Sequence, residues 1–321
     1  MNQTTENLTV SVSPHLHSGR TSRSIMLDVI IALLPAIAAS GIIFGPRALI
    51  LIGVTVFSCV ASEYVFRRAI KRPQSIYDLT AVVTGILLAL NLPVSLPFWM
   101  AALGGAIAII IIKQFFGGVG QNFVNPAITA RIVLLMSFAS QMNVWKEPFH
   151  YLSDTTDIVS SATYFSNAAA GKLPSITDML LGIRTGSLGE TCAIALIIGG
   201  IYLVIRKVIS PWIPLCFIGT VAVLSMLLGG DPLYQVLSGG LLLGAIFMAT
   251  DYTTSPINTR GKIIFAIGCG LITVLIRFYA SLPEGVSYAI LLMNILVPHI
   301  ETLTIPKVFG EKRGDINETI K

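Results

Sequence analysis

The sequence predicts an all-α polytopic membrane protein with about ten transmembrane helices, arranged as two inverted five-helix halves that include short or broken helices. Composition is the first reason: 54% of the 321 residues are hydrophobic and 12% are charged, with a mean hydropathy of +0.80. Soluble domains carry about 25% charged residues, so a chain this apolar is expected to lie in lipid. The second reason is a series of long apolar runs, and the third is the placement of basic clusters between them.

The apolar runs have the length of spanning helices, which need about 20 residues to cross the hydrocarbon core. A helix is the expected conformation because backbone groups in lipid need hydrogen-bond partners within their own segment. The predicted first half, 25–140, contains the runs 25–44, 47–66, 78–92, 97–115 and 124–140. The predicted second half, 188–305, contains the runs 189–206, 211–229, 233–249, 262–280 and 286–304.

Basic clusters set the expected orientation of these helices. They stand at 20–23, 67–72, 206–207, 260–262 and 307–313. With ten spans all five clusters fall on one side, which the positive-inside rule assigns to the cytoplasm. We therefore expect a cytoplasmic N-terminal segment at 1–24, a cytoplasmic tail at 306–321 and an outward-facing loop at 141–187. The net charge of +5 then reports orientation, and no nucleic-acid partner is expected.

An odd number of helices in each half inverts the second half relative to the first, and inverted repeats place their working site at the interface between halves. Residues 79–97 and 237–256 each combine a glycine-bearing helix with a polar, proline-interrupted turn. Asp251 lies in the second turn among several hydroxyls. Carboxylates in membrane segments are costly and usually functional, so Asp251 is a candidate for an ion path, with helix capping as the alternative. Arg277 and Glu284 are expected to snorkel to the outer surface.

No metal site is predicted, because the four cysteines lie in apolar runs without ligand spacing. The long polar interval instead contains a stretch suited to covalent modification. It consists of Asp157, Ile158, Val159, Ser160, Ser161, Ala162 and Thr163. The small residues before Thr163 can enter an enzyme cleft, and the stretch resembles sites at which a flavin transferase attaches FMN. A threonine hydroxyl can attack the pyrophosphate of FAD in a metal-assisted transfer, taking FMN and releasing AMP. The alternative is an ordinary polar turn.

A second candidate for flavin contact opens the sixth predicted helix at its outer end. Its residues are Gly186, Ser187, Gly189, Glu190 and Thr191. The free amides and positive dipole of a helix start can hold a phosphate or a carbonyl. The segment follows Thr163 by about 25 residues, so the same flavin is within its reach. An ordinary helix cap explains these residues almost as well.

On these motifs the chain resembles the RnfD/NqrB family of membrane redox-pump subunits, and its length is closest to the RnfD members. The resemblance covers roughly 14–310. It is carried by 13–15, 120–127, the stretch ending at Thr163, 186–191, 248–256 and 283–285, with Ala289 and Asn294.

The resemblance implies FMN esterified to Thr163 by a flavin transferase, together with a second, noncovalent riboflavin. It also implies a translocase subunit, not catalytic alone, in a prokaryotic cytoplasmic membrane. The complex passes electrons between ferredoxin and NAD and couples this transfer to Na⁺ or H⁺ transport. Other Rnf-type subunits are the implied partners, especially an outward-facing subunit with covalent FMN and membrane iron–sulfur subunits, all within the lipid bilayer. Members of the family usually carry Gly where Ser161 stands, and Ser is small enough for attachment.

Two other classes fit part of the sequence. A secondary transporter or channel for a small solute accounts for the inverted halves and broken helices equally well. A structural anchor for redox partners accounts for the membrane spans alone. Only the flavin motif and the family resemblance separate the electron carrier from both. The chain lacks a Gly-x-Gly-x-x-Gly fingerprint after a strand, so we do not expect it to bind NAD itself.

Overall fold

The computed structural model describes residues 20–152, 175–280 and 285–305, which form helices and turns without a strand. The first group of helices is α1 (Ser22–Phe44), α2 (Pro46–Ala69), α3 (Thr80–Leu90), α4 (Phe98–Ala106, continued by a π-helix at Ile107–Gln114) and α5 (Pro126–Ser137). Two short helices follow, α6 (Ala139–Met142) and α7 (Ile176–Leu181). The second group is α8 (Ala193–Ile205), α9 (Trp212–Leu227), α10 (Pro232–Leu237), α11 (Leu241–Leu243, continued by a π-helix at Gly244–Met248), α12 (Thr259–Tyr279) and α13 (Val286–Thr304).

Within the described ranges, four helices are long and apolar enough to cross a membrane: α1, α2, α12 and α13. Five further apolar segments are shorter: α3, α4 with its π-helix, α5, α8 and α9. These findings confirm the predicted all-helical membrane class. The shorter helices arise where turns interrupt a predicted span, as at 233–249.

The eighth predicted run is not one helix, and this corrects the sequence prediction of a continuous segment at 233–249. The first part, α10, ends at Leu237, and Ser238 is extended. Gly239 and Gly240 then adopt φ angles of 67° and 66°, a left-handed conformation that glycine reaches without steric cost. Helical geometry resumes at Leu241. The break therefore lies inside the bundle and ahead of the polar turn that the sequence indicated.

The start of the sixth predicted helix is also corrected. The helix α8 begins at Ala193, with Cys192 at its N-cap position. The segment 186–191 therefore precedes the helix as a series of turns. Its amides take tertiary partners: Leu188 N donates to Leu92 O at 3.1 Å, and Gly189 N donates to Leu90 O at 2.7 Å. This pairing with the end of α3 competes with helix formation.

Loops gather at the two ends of the bundle. At one end, Asn258 Nδ2 donates to Thr304 O at 3.3 Å, and Arg72 Nη1 donates to Gly117 O at 3.4 Å. We call this the basic end, because α2 and α8 finish there beside the clusters 67–72 and 206–207. At the opposite or far end, Phe149 N donates to Ile43 O at 2.8 Å.

The two helix groups meet along α1 with α8 and along α5 with α13. The first contact depends on Gly199, because a Cβ there would lie 2.2 Å from Ala32 O. A small residue at this position lets the two helix backbones approach closely, as at other membrane helix crossings.

Candidate functional site

A cavity opens at the basic end, between the two helix groups. It lies where α3 and α5 begin and where the π-helices after α4 and α11 end. Its apolar wall includes Val29, Val83, Leu87, Leu203 and Phe247. Its polar lining includes Thr80, Thr84, Lys113, Asn122, Asn125, Thr250 and Asp251. Apolar walls with a few convergent polar groups are the usual composition of a small-molecule site.

Asn125 ties the two helix groups together at this cavity. Its Oδ1 accepts hydrogen bonds from Ala127 N at 3.0 Å and Ile128 N at 3.3 Å, which caps α5. Pro126 occupies the first helical position, where a missing backbone donor costs nothing. The Asn125 amide donates across the bundle to Met248 O at 3.2 Å. Asn125 therefore caps α5 and also joins the first group to the second.

Asn122 makes a second link between the groups, because its Nδ2 donates to Thr253 Oγ1 at 3.0 Å. Asp251 stands beside this link and is half-buried. Its Oδ2 accepts hydrogen bonds from Thr253 Oγ1 at 2.9 Å and Thr254 Oγ1 at 3.4 Å. Asp251 therefore caps its own turn and also faces the cavity. Its role in an ion path stays a prediction.

A buried ion pair lies next to the cavity. Glu63 is 0% exposed, and its carboxylate oxygens lie 3.2 Å and 3.3 Å from Lys113 Nζ. Ser75 Oγ donates to Glu63 Oε1 at 2.6 Å, and Gln114 Nε2 donates to it at 2.8 Å. Arg67 approaches the same oxygen at 3.8 Å. Glu63 was not among the candidate site residues predicted from the sequence. The only sequence feature that points to a role for Lys113 is its position near the end of the apolar run 97–115.

The segment 186–191 lies at the far end and is buried. Arg184 Nη2 donates to Glu190 O at 2.7 Å and lies 3.9 Å from Glu190 Oε1. Ser187 Oγ donates to Glu190 Oε2 at 3.0 Å. Burial lowers the pKa of the Arg184 guanidinium, and the charge of Glu190 opposes this shift. The Thr191 hydroxyl has no hydrogen-bond partner within the described part of the chain.

Arg277, which the sequence predicted to snorkel outward, instead caps the break after α10. It donates to Gln235 O at 2.6 Å and to Ser238 O at 2.8 Å. These are carbonyls that the broken helix leaves without an intrahelical donor. In the first group, Arg131 is buried and donates to Asn91 Oδ1 at 3.1 Å and Ser287 Oγ at 2.9 Å. Glu284 lies outside the described residues.

The candidate modification stretch, with Asp157, Ser160, Ser161, Ala162 and Thr163, also lies outside the described residues. Both described flanks of the interval reach the far end. On one side Tyr151 Oη donates to Ile42 O at 2.8 Å. On the other side a Cβ at Gly182 would lie 2.8 Å from Ile43 Cδ1. The predicted site residues thus fall into two groups, with Asp251 at the basic end and 186–191 at the far end.

Comparisons with known proteins agree over most of the chain. A model of the NQR2, RnfD, RnfE family matches residues 9–310. The D subunit of the Na(+)-translocating ferredoxin:NAD(+) oxidoreductase complex of Acetobacterium woodii is 46% identical over 306 residues, covering 95% of this chain and 96% of that protein. The D subunit of the proton-translocating ferredoxin:NAD(+) oxidoreductase complex of Clostridium ljungdahlii is 39% identical over 323 residues, covering 95% and 97%. The D subunit of the ion-translocating oxidoreductase complex of Stutzerimonas stutzeri is 38% identical, covering 89% and 91%.

Proposed function

The chain belongs to the NQR2, RnfD, RnfE family, and from this premise we propose that it is the RnfD-type subunit of an ion-translocating ferredoxin:NAD oxidoreductase complex. The observation that carries the proposal is similarity along nearly the full length, with 46% identity to a relative named for Na⁺ translocation and 39% to one named for proton translocation. The chain is then an oxidoreductase subunit that works in a membrane with other subunits of the complex. It is not catalytic alone.

The experiment that tests this function compares membrane vesicles from the native organism with and without the chain. We expect its removal to abolish ferredoxin-dependent NAD reduction together with the associated uptake of Na⁺ or H⁺. Re-expression of the wild-type chain is the control and should restore both. Persistence of both activities without the chain contradicts the proposal. Solute uptake by the purified chain in liposomes, without redox partners, favours the transporter alternative.

We further propose ten spans in two inverted halves, at 25–140 and 188–305, with the basic end in the cytoplasm. The pattern of helix contacts supports this arrangement. The contact of α2 with α4 in the first half has its counterpart in the contact of α9 with α12. The contact of α4 with α5 likewise corresponds to that of α12 with α13. The two cross-pairs, α1 with α8 and α5 with α13, join helices at corresponding positions of the two halves.

Covalent FMN at Thr163 is the proposed redox centre of the outward side. The support is the stretch from Asp157 to Thr163 and the position of its flanks at the far end, opposite the basic clusters. The segment 186–191 fits a phosphate poorly, because Leu188 N and Gly189 N donate to α3 carbonyls. We therefore assign this segment to closing the far end of the bundle.

We propose that the noncovalent riboflavin implied by the resemblance binds at the cavity at the basic end, because the lining residues there suit a flavin. Val83, Leu203 and Phe247 offer apolar surface to a flat ring system. Asn125 and Thr84 lie beside that surface. The second amide hydrogen of Asn125 can donate to a polar ring edge, and Thr84 Oγ1, which donates to Thr80 O, can accept from one. A bound flavin supplies one-electron chemistry that side chains lack. The chain's own part is to hold the ring between the two halves and to exclude water from it.

Filling the cavity should remove this flavin. The change Val83→Phe enlarges a cavity-lining side chain that is 8% exposed. Overpacking of this kind costs about 1–3 kcal/mol, and about 1.4 kcal/mol corresponds to a tenfold loss of affinity. We expect noncovalent flavin to bind roughly tenfold more weakly, so less of it should be released on denaturing the purified complex. Val82→Phe is the matched control, because Val82 is half-buried against the core and does not line the cavity. Equal flavin loss in both variants would refute the assignment.

A further inference from the structure

Lys113 lies between a buried carboxylate and the cavity. Its Nζ is 3.2 Å from Glu63 Oε1 and 3.3 Å from Glu63 Oε2. It also donates to Thr80 Oγ1 at 2.7 Å, and both Lys113 and Thr80 line the cavity. The lysine is 4% exposed. One ammonium group therefore touches the Glu63 carboxylate and the cavity wall at the same time.

Groups other than Lys113 also stabilise the negative charge of the Glu63 carboxylate. Ser75 and Gln114 both donate to Oε1, and Arg67 approaches the same atom. Within the described residues, Lys113 donates to Oε2 at 3.3 Å. If the ammonium moved away, Oε1 would remain hydrogen-bonded and Oε2 would face the space that it left. That is the geometry of a carboxylate able to accept another cation.

Lysine suits a moving role here. Its ammonium is a compact point charge on a flexible four-carbon stem, whereas arginine carries a rigid planar group. The attraction between the Lys113 ammonium and a nearby negative charge is strong, because water and salt screen buried charges only weakly. Asp251 is a carboxylate that lines the same cavity, where Thr253 and Thr254 donate to its Oδ2. A further negative charge placed in the cavity competes with Glu63 for the same ammonium. Thr80 Oγ1 accepts a hydrogen bond from the same ammonium at 2.7 Å and keeps it beside the cavity wall.

We propose that Lys113 is a tethered cation that links the charge in the cavity to the occupancy of Glu63. With a neutral occupant, the ammonium stays on Glu63 and keeps other cations away. With an anionic occupant, it turns toward the cavity and leaves Glu63 to take one Na⁺ or H⁺ from water. This inference rests on the proposed function, because it takes the cavity occupant to be the noncovalent flavin.

The charges balance at each step. One electron, supplied by reduced ferredoxin through the complex, adds one negative charge in the cavity. The Lys113 ammonium moves toward this negative charge. One cation taken up at Glu63 then replaces the positive charge that the ammonium withdrew from the carboxylate. When the electron leaves toward NAD⁺, the ammonium returns and displaces the cation. Coupling of this kind must appear as a difference in cation affinity between the two redox states, and it is reciprocal.

The test is a redox titration of the noncovalent flavin in the purified complex, at several Na⁺ concentrations at fixed pH and then at several pH values at fixed Na⁺. In the wild type, we expect the midpoint potential to rise as the cation is added. From this dependence, the half-saturating cation concentration should differ by roughly fivefold or more between oxidised and reduced forms. Lys113→Met keeps the length of the stem but removes the ammonium. In this variant the half-saturating cation concentrations of the oxidised and reduced forms should be equal.

Three further variants make the result decisive. Arg67→Met removes a charge that also approaches Glu63 but lies 3.8 Å away and outside the cavity lining, so the wild-type difference should remain. Lys113→Arg keeps the positive charge and should retain part of the difference in cation affinity between the two redox states. The double variant Lys113→Met with Glu63→Gln removes both charges of the pair, so it should fold and bind flavin yet show no cation dependence.

The outcomes separate this inference from the proposed function. Bound flavin with an undiminished affinity difference in Lys113→Met overturns the tethered-cation role and leaves the flavin site standing. The same loss in Arg67→Met as in Lys113→Met also overturns it, since any nearby positive charge would then suffice. Absence of noncovalent flavin from the wild-type complex overturns both the cavity assignment and the inference built on it.

Discussion

Replacing Thr163 with Ala is expected to remove all covalently bound flavin from the chain, because the hydroxyl that forms the phosphoester is lost. The measurement is flavin fluorescence of the chain on a denaturing gel, with mass spectrometry of the peptide that contains residues 157–163. Thr163→Ser is the matched variant, since it keeps a hydroxyl at the same position and should retain some attachment. Ser161→Gly restores the residue usual in the resembling family and should keep the full amount.

The consequence for activity should be as large as that for the cofactor. With its outward redox centre missing, the complex should reduce NAD from ferredoxin no faster than membranes that lack the chain. Fluorescence that persists in Thr163→Ala would place the attachment at another residue. A wild-type chain without fluorescence, made in cells that contain the flavin transferase, would contradict the carrier role and favour a transporter or an anchor.

The helices were predictable because apolar runs and basic clusters are local signals. The expected segments 25–44 and 286–304 correspond closely to α1 (Ser22–Phe44) and α13 (Val286–Thr304). The cap at Asn125 is equally local, since an Asn-Pro pair stands directly in front of an apolar run. Each of these signals lies within a few residues of the structure that it specifies, so no knowledge of tertiary packing was needed.

The break at 238–240 and the turns at 186–191 were not predictable in the same way, because both depend on distant partners. Arg277 stabilises the first by donating to the carbonyls of Gln235 and Ser238. The end of α3 accepts the amides of Leu188 and Gly189 in the second. A hydrophobic run cannot show which backbone groups will find donors on another helix. Such breaks are tolerated in a membrane because neighbouring segments satisfy the freed groups.

The cavity shows the same division between local and tertiary information. Asp251 was predicted as a candidate because a carboxylate beside a membrane helix is conspicuous in a sequence. Lys113 was not, since one lysine at the end of an apolar run equally fits snorkelling to the surface. Its significance depends on Glu63 lying 3.2 Å away across the bundle, a pairing over 50 residues that only the fold creates.

Breaking the buried pair at the far end should strongly destabilise the protein. Arg184 and Glu190 are 7% and 9% exposed, so Arg184→Met leaves a buried carboxylate without its cation. Removing one partner of such a pair costs about 3–5 kcal/mol, whereas replacing both is often nearly neutral. We therefore expect a marked fall in the thermal unfolding temperature of the detergent-purified complex with Arg184→Met. The double variant Arg184→Met with Glu190→Gln should recover most of the lost thermal stability.

The double variant also decides what the segment 186–191 does. If its role is to close the far end of the bundle, the double variant should keep covalent flavin and ferredoxin-dependent NAD reduction once its stability is restored. Ser187→Ala serves as the mild control, because it removes one hydrogen bond to Glu190, typically worth about 1 kcal/mol. A stable double variant whose flavin has a shifted midpoint potential would instead show that these side chains act on the cofactor directly. That result would return the segment to the flavin site that the sequence first indicated.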